Sequence, residues 1–281
     1  MADLAQQAAV PSTNKFKRLL LTGAAGGLGK VLRPRLAAFT EILRVSDLAA
    51  ALPAQAMAHE EVMSCDLADR AAMEALVAGC NAIVHLGGVS VERPFEEILE
   101  ANIKGVFNLY EAARRQGVKR VVFASSNHVI GFYGQDEHIT TRDLRRPDGY
   151  YGLSKSYGED MAQLYFDRYG IESVSLRIGS AVVQPADRRG LSTWLSHDDL
   201  TELIRCSLFA PHVGHTVVYG VSNNAAAWWD NRYAAHLGYQ PRDNAEQFRS
   251  IIEQQPMPAA DNPVRRYQGG VFTATGPFDP Q

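Results

Sequence analysis

Residues 17–47 read "KRLLLTGAAGGLGKVLRPRLAAFTEILRVSD", and this stretch decides the fold. A short apolar run, Leu19 to Leu21, ends in a glycine-rich turn. "GLGKVLRPRLAAF" then places apolar residues at helical spacing, with Pro34 ill suited to a helix interior. "EILRVSD" reads as a second strand closed by Asp47. Strand, turn, helix and strand within about thirty residues make a βαβ unit, which commits the two strands to lie parallel.

The same alternation continues outward. Apolar runs at "NAIVHLG" (81–87), "RVVFASS" (120–126) and "ESVSLRIG" (172–179) read as strands. Between them "DRAAMEALVAG", "FEEILEANIKGVFNLYEAARRQG" and "GLSKSYGEDMAQLYFDRYG" have helical periodicity. The fold class is therefore α/β, a Rossmann-type doubly wound parallel sheet with helices on both faces and ligands at the carboxyl ends of the strands. After Ser180 the rhythm breaks into the irregular "AVVQPADRRGLSTWLSHDD", followed by a helix, a short strand "HTVVYG" and another helix. The expected division is a flexible tail over 1–15, a dinucleotide-binding domain over 16–180, and a small C-terminal substrate-binding lobe over 181–281.

Composition removes several functions. A net charge of -3 over 281 residues, with scattered lysines and arginines, offers no basic stripe for nucleic acid. The apolar runs fall far short of the roughly 20 residues a spanning helix needs, and the leader "MADLAQQAAVPSTNK" lacks a basic start and an apolar core, so no membrane partner is expected. Cys65, Cys80 and Cys206 are odd in number and lack metal-ligand spacing, which fits free thiols in a reducing cytoplasm. The eight histidines form no HExxH-like pattern, so no metal site is expected and an organic cofactor is the default.

"TGAAGGLG" sets Gly23, Gly26 and Gly29 three apart at the first strand-to-helix junction, beside Leu28. Small residues there permit a tight turn and close backbone approach, and free N–H groups at the helix start bind a pyrophosphate. Asp47 stands where a carboxylate accepts hydrogen bonds from an adenosine ribose and repels a 2′-phosphate, which selects NAD over NADP. An ordinary tight turn and an exposed capping aspartate are the plainer alternatives.

In "YYGLSK" (150–155), residues four apart share a helix face, so Tyr151 and not Tyr150 faces with Lys155. A neighbouring ammonium favours tyrosinate and should pull the phenol from about 10 towards neutrality, making Tyr151 a usable base.

The glycines at 23, 26 and 29, Asp47, "FASSNH" and "YGLSK" together resemble the extended short-chain dehydrogenase/reductase family, over about Lys17 to Ser180. The resemblance implies a catalytic Ser126, Tyr151 and Lys155, with "CDLAD" supplying cofactor contacts at Asp66 and Leu67, and "HLGG" at Leu86, Gly87 and Gly88. Within that family the blocks "HLGGVSVERPFE", "FASSNHVIG", "RIGS", "LSTWLSHDD" and "WWDN" are most similar to the uronate dehydrogenases. That similarity implies NAD-dependent oxidation of the anomeric hydroxyl of cyclic glucuronate or galacturonate to an aldaric acid lactone. It carries substrate contacts onto Ser90, Ser126, Asn127, His128, Tyr151, Ser180, Arg189 and Phe272. Asn127 has the alternative of merely tying down its loop, and His128 that of a structural histidine. Ile130 replaces the tyrosine that the wider family commonly places after the catalytic serine, which disfavours nucleotide-sugar epimerase activity.

Two rivals accompany this reading. A nucleotide-sugar epimerase or dehydratase of the same fold needs a lobe that encloses a nucleoside diphosphate, and the hundred or so residues after Ser180 are short for that. A non-catalytic NAD sensor has no need of Ser126, Tyr151 and Lys155 together. A homo-oligomer is expected, with the helical stretch 95–117 as one candidate face, although an ordinary packed helix would carry the same pattern.

Overall fold

The computed structural model describes residues 15–52, 56–276 and 278. The expected tail therefore lies outside the described residues, apart from Lys15. Seven parallel strands form the central sheet: β1 Phe16–Thr22, β2 Thr40–Asp47, β3 Glu60–Ser64, β4 Ala82–His85, β5 Arg120–Ser126, β7 Glu172–Ile178 and β8 His215–Gly220. Their order is β3-β2-β1-β4-β5-β7-β8, so the direction of winding reverses between β1 and β4. Two short segments, β6 Ile139–Thr140 and β9 Trp229–Asp230, pair separately.

Alternation along the strands builds a core on each face. Leu19, Leu21, Leu43 and Val45 point to one side, where they meet Leu32 and Leu36 of α1 (Gly27–Leu36) and Leu203 and Ile204 of α7 (His197–Phe209). Leu20, Ile83, Val121 and Phe123 point to the other. There they meet α2 (Arg70–Val77), a long helix from Phe95 to Gln116, and α5 (Tyr150–Tyr169). The long helix comprises α3 (Phe95–Ile98), a π-helical segment over Leu99–Lys104, and α4 (Gly105–Gln116). Pro34 lies inside α1, in its last turn and three residues before a one-turn 3-10 segment.

The sheet outgrows the expected domain. β8 hydrogen-bonds to β7, and α7 buries its apolar side against β5 on the sheet face that α1 covers, so residues 197–220 belong to the sheet unit although the division at 180/181 assigned them to the lobe. Apolar residues of β8 and α7 found a vacant sheet edge and face on which to pack. Among the described residues the further helix expected after β8 is absent as a continuous element. Pro241, Pro256, Pro258 and Pro263 break that stretch, which holds 3-10 turns and helices of a single turn.

α5 is anchored from beneath. Glu159, fully buried, accepts from Arg177 Nε and Nη2, both at 2.9 Å, and from Ser125 Oγ at 2.7 Å. The pair joins α5 to β7.

Candidate active site

One cleft of about 1280 Å³ opens at the carboxyl ends of the strands, and every site residue singled out from the sequence borders it. At its nucleotide end, Gly23 has a φ of +70°, and a Cβ there would sit 2.7 Å from the Leu86 carbonyl carbon. A Cβ on Gly29 would come within 2.0 Å of Gly23 O. Only glycine serves at these two positions. α1 begins at Gly27, its N-cap Gly26 offers no side-chain cap, and its first turn has no acidic residue, which leaves its leading N–H groups for an anion.

Asp47 does two things. Its Oδ2 accepts from Ala25 N at 2.9 Å and pins the glycine turn, while Oδ1 accepts from Leu48 N at 2.8 Å. Each oxygen retains a lone pair for a ribose hydroxyl. Asp66 Oδ1 accepts from Ala68 N, and Asn108 Nδ2 donates to Leu67 O and Ala68 O, so the "CDLAD" turn is held from α4. Beyond Leu86 and Gly87, Gly88 takes a φ of +120°. Asn102 clamps that loop by accepting from Val89 N at 2.8 Å and donating to Val89 O at 3.0 Å and Ser154 Oγ at 2.9 Å. Asn102 lies in the π-helical segment, a distortion that often accompanies functional positions. These features fit a dinucleotide: a glycine cradle without Cβ atoms, open helix-start amides and a ribose carboxylate.

Ser126 ends β5, and its Oγ accepts from His128 N at 3.2 Å, which leaves the hydroxyl hydrogen to donate into the cleft. Tyr151 and Lys155 stand one turn apart on α5, with Lys155 Nζ 5.6 Å from the Tyr151 ring centre. Tyr150 points away; it is 45% exposed and packs edge-on against Phe95. The electrostatics depart from expectation. Burial pushes the Tyr151 phenol up to about 12, with the Ser126 hydroxyl working in the opposite direction, and burial pushes Lys155 down to about 8. Desolvation, joined by the Asp148 charge, thus sets the phenol in the free protein, a factor that spacing along a helix cannot reveal.

At the substrate end, Arg189 donates Nε–H to Gln268 O and Nη1–H to Ser180 Oγ at 3.2 Å. With the Asn127 amide turned so that Nδ2 donates to Ile178 O at 3.0 Å, its oxygen accepts from Arg189 Nη2 at 2.7 Å. Asn127 therefore orients the guanidinium, which favours the loop-tying alternative for its amide. Among the described residues no carboxylate lies within 4.0 Å of Arg189, and desolvation lowers its pKa. Adjacent Arg188 turns out of the cleft to Glu253 O at 2.6 Å. The His128 ring stacks on Phe272 with centroids 3.8 Å apart, so the 3-10 turn Gly270–Ala274 closes over the site. Ser90 also lines the cleft.

Sequence reasoning missed two buried carboxylates. Asp148 Oδ2 lies 2.7 Å from His128 Nδ1. Glu92 accepts from Tyr150 N at 2.7 Å and Tyr151 N at 2.9 Å, capping α5 in place of a side chain at Gly149. The acid lies 58 residues from the helix it caps, beyond the reach of any local capping pattern.

The profile of the NAD dependent epimerase/dehydratase family matches residues 19–193. A uronate dehydrogenase of Pseudomonas putida is 63% identical over 268 residues, 95% of this chain and 100% of that protein. Among solved structures, a mutant uronate dehydrogenase of Agrobacterium tumefaciens complexed with NAD superposes with a TM-score of 0.91 at 52% identity, covering 94% of this chain and 99% of that one. Glucuronic acid dehydrogenase from Chromohalobacter salexigens gives a TM-score of 0.90 at 51% identity, covering 93% and 98%.

Proposed function

The chain belongs to the NAD dependent epimerase/dehydratase family, and from that premise we propose its reaction in full: it is an NAD-dependent uronate dehydrogenase that oxidises the anomeric hydroxyl of cyclic glucuronate or galacturonate to the aldaric acid lactone. The observation that carries the reading is a guanidinium with no carboxylate partner among the described residues, Arg189, in the same cleft as Ser126, Tyr151 and Lys155. A uronate brings the missing carboxylate and, at its other end, the hydroxyl to be oxidised.

NAD, when bound, supplies the hydride acceptor. Tyr151 takes the hydroxyl proton as the C1–O double bond forms, and Ser126 donates to that oxygen while it carries charge. Lys155 holds the nicotinamide ribose and offsets the burial that disfavours tyrosinate. Arg189, oriented by Asn127 and Ser180, grips the carboxylate. The residues of 16–180 supply most of the cofactor end, and the lobe supplies Arg189 and Phe272. Among the described residues no helix is long and apolar enough to cross a membrane. We assign the enzyme to the cytoplasm, with free Cys65, Cys80 and Cys206, and place a homo-oligomer contact on the exposed Phe107 of α4 and Leu164 of α5.

The test is net NADH absorbance. Free glucuronate or galacturonate should produce it and a nucleotide sugar should not. NADH formation from the nucleotide sugar, or nucleotide-sugar turnover without net NADH, would transfer the chain to its rivals.

A second test concerns Asp47. Asp47→Ala should weaken NAD about tenfold or more, the cost of a charge-assisted contact, and lower the NAD-to-NADP preference. Asp47→Asn keeps an acceptor for Ala25 N and removes the charge together with the second acceptor, which meets Leu48 N. It should lower the preference while leaving the glycine turn intact. An unchanged preference in both variants would reduce Asp47 to a structural pin.

A further inference from the structure

We propose that Asp148 is a positioning residue that holds His128 in its Nδ1–H tautomer, so that the free Nε2 is a bare acceptor reading a sugar hydroxyl and not the carboxylate. The inference rests on the uronate reading for its substrate, and on geometry for the rest. Asp148 Oδ2 lies 2.7 Å from Nδ1, so that nitrogen donates. Asp148 N also donates to His128 O at 3.2 Å, tying the two residues through backbone and side chain alike.

The seat closes tightly on Oδ2, while Asp148 Oδ1 is buried without a hydrogen-bond partner among the described residues. A Cβ added to Gly131 or to Gly269 would come within 1.9 Å of Asp148 Oδ2, so backbone closes on it from two segments distant in sequence. Phe272 covers a face of the imidazole, leaving the Nε2 edge for a ligand. Nε2 has no protein partner among the described residues and is not among the sealed, unpartnered atoms, while His128 lines the cleft. The charges around the ring agree. Burial and the Arg189 cation lower its pKa against the opposing pull of Asp148 and Glu92, so the neutral form prevails at neutral pH. A neutral imidazole that donates through Nδ1 can only accept through Nε2.

Hydrogen-bond polarity in the site is then divided. Arg189 meets the carboxylate as a donor, Ser126 donates to the reacting oxygen, and His128 accepts from a hydroxyl. An imidazole of the opposite tautomer would turn a second N–H towards the ligand and leave a hydroxyl without its acceptor.

The experiment is long-range 1H–15N NMR of the full chain labelled with 15N-histidine, at pH 7.5 with and without NAD, the His128 signals being assigned by their loss in His128→Asn. The expected result is a protonated Nδ1 and an unprotonated Nε2. Asp148→Asn can donate to Nδ1 from its amide, so it should shift the ring to Nε2–H and raise KM for the uronate about tenfold with NAD affinity retained. An Nε2–H tautomer or an imidazolium in the wild type overturns the proposal, as does an Asp148→Asn variant with unchanged tautomer and KM. If Asp148→Asn does not fold, the wild-type spectrum decides alone. That spectrum needs no sugar, so the expected tautomer in a protein that oxidises no uronate would sink the uronate reading and leave the positioning role standing.

Discussion

Tyr151→Phe should bind NAD as the wild type does and lose turnover by about 10²-fold to 10⁴-fold, the range for a missing acid/base group. The substitution removes one oxygen from a buried ring that packs edge-on to His128 and Phe272, and the phenylalanine keeps those contacts. Tyr150→Phe is the control, since Tyr150 touches Phe95 and solvent. Equal losses in both would mean a helix-wide defect, and full activity in Tyr151→Phe would remove it from the chemistry. The pH dependence follows from burial, which holds the free phenol near 12. The base is the deprotonated form, so kcat/KM should climb as pH rises until Tyr151 ionises in the working complex. Lys155→Met removes the nearby ammonium and should move that limb upward by about one unit or more. A limb that stays in place would confine Lys155 to holding the ribose.

Arg189→Ala should lower kcat/KM for a uronate by roughly thirty- to a thousand-fold, about 2 to 4 kcal/mol, the loss of a desolvated charge-assisted contact. The neutral parent sugar should hardly respond. Arg189→Lys should recover little, because an ammonium cannot reproduce two parallel N–H bonds nor meet Ser180, Asn127 and Gln268 at once. Arg188→Ala, whose guanidinium bonds the Glu253 carbonyl outside the cleft, should be silent towards both sugars. An equal fall for acid and neutral substrates in Arg189→Ala would assign the residue to folding or cofactor binding.

The nucleotide half was legible because its signals are local. A glycine that a Cβ would drive into the next turn, or a tyrosine and lysine one helical turn apart, is visible within a few residues of chain. β3 was not read, since "EEVMS" has five residues and two of them are glutamates. Its strand character comes from pairing with β2, and Arg18 and Arg44 neutralise Glu61 at the edge. β8 was read as a strand but assigned to the lobe, because an apolar run does not say which sheet it will join. The reach of Glu92 to α5 exists only once the chain has folded. The Tyr151 phenol shows the same limit in its electrostatics: its neighbours were readable, but the depth of its burial was not.

The Glu159–Arg177 pair beneath α5 also constrains the routes by which this sequence can drift. Both side chains are sealed, at 0% and 2% exposure, so loss of Glu159 strands the Arg177 charge, and loss of Arg177 leaves Glu159 only the longer contact from Arg145 at 3.3 Å. That intermediate loses about 3–5 kcal/mol out of a typical total of about 5–15. An apolar couple of similar volume would be tolerated there, but a lineage reaches it only through a barely folded ancestor or by two changes at once. Descendants should therefore keep both residues or exchange both, and a hybrid gene spliced between positions 159 and 177 should express well only when its two parents agree on the pair.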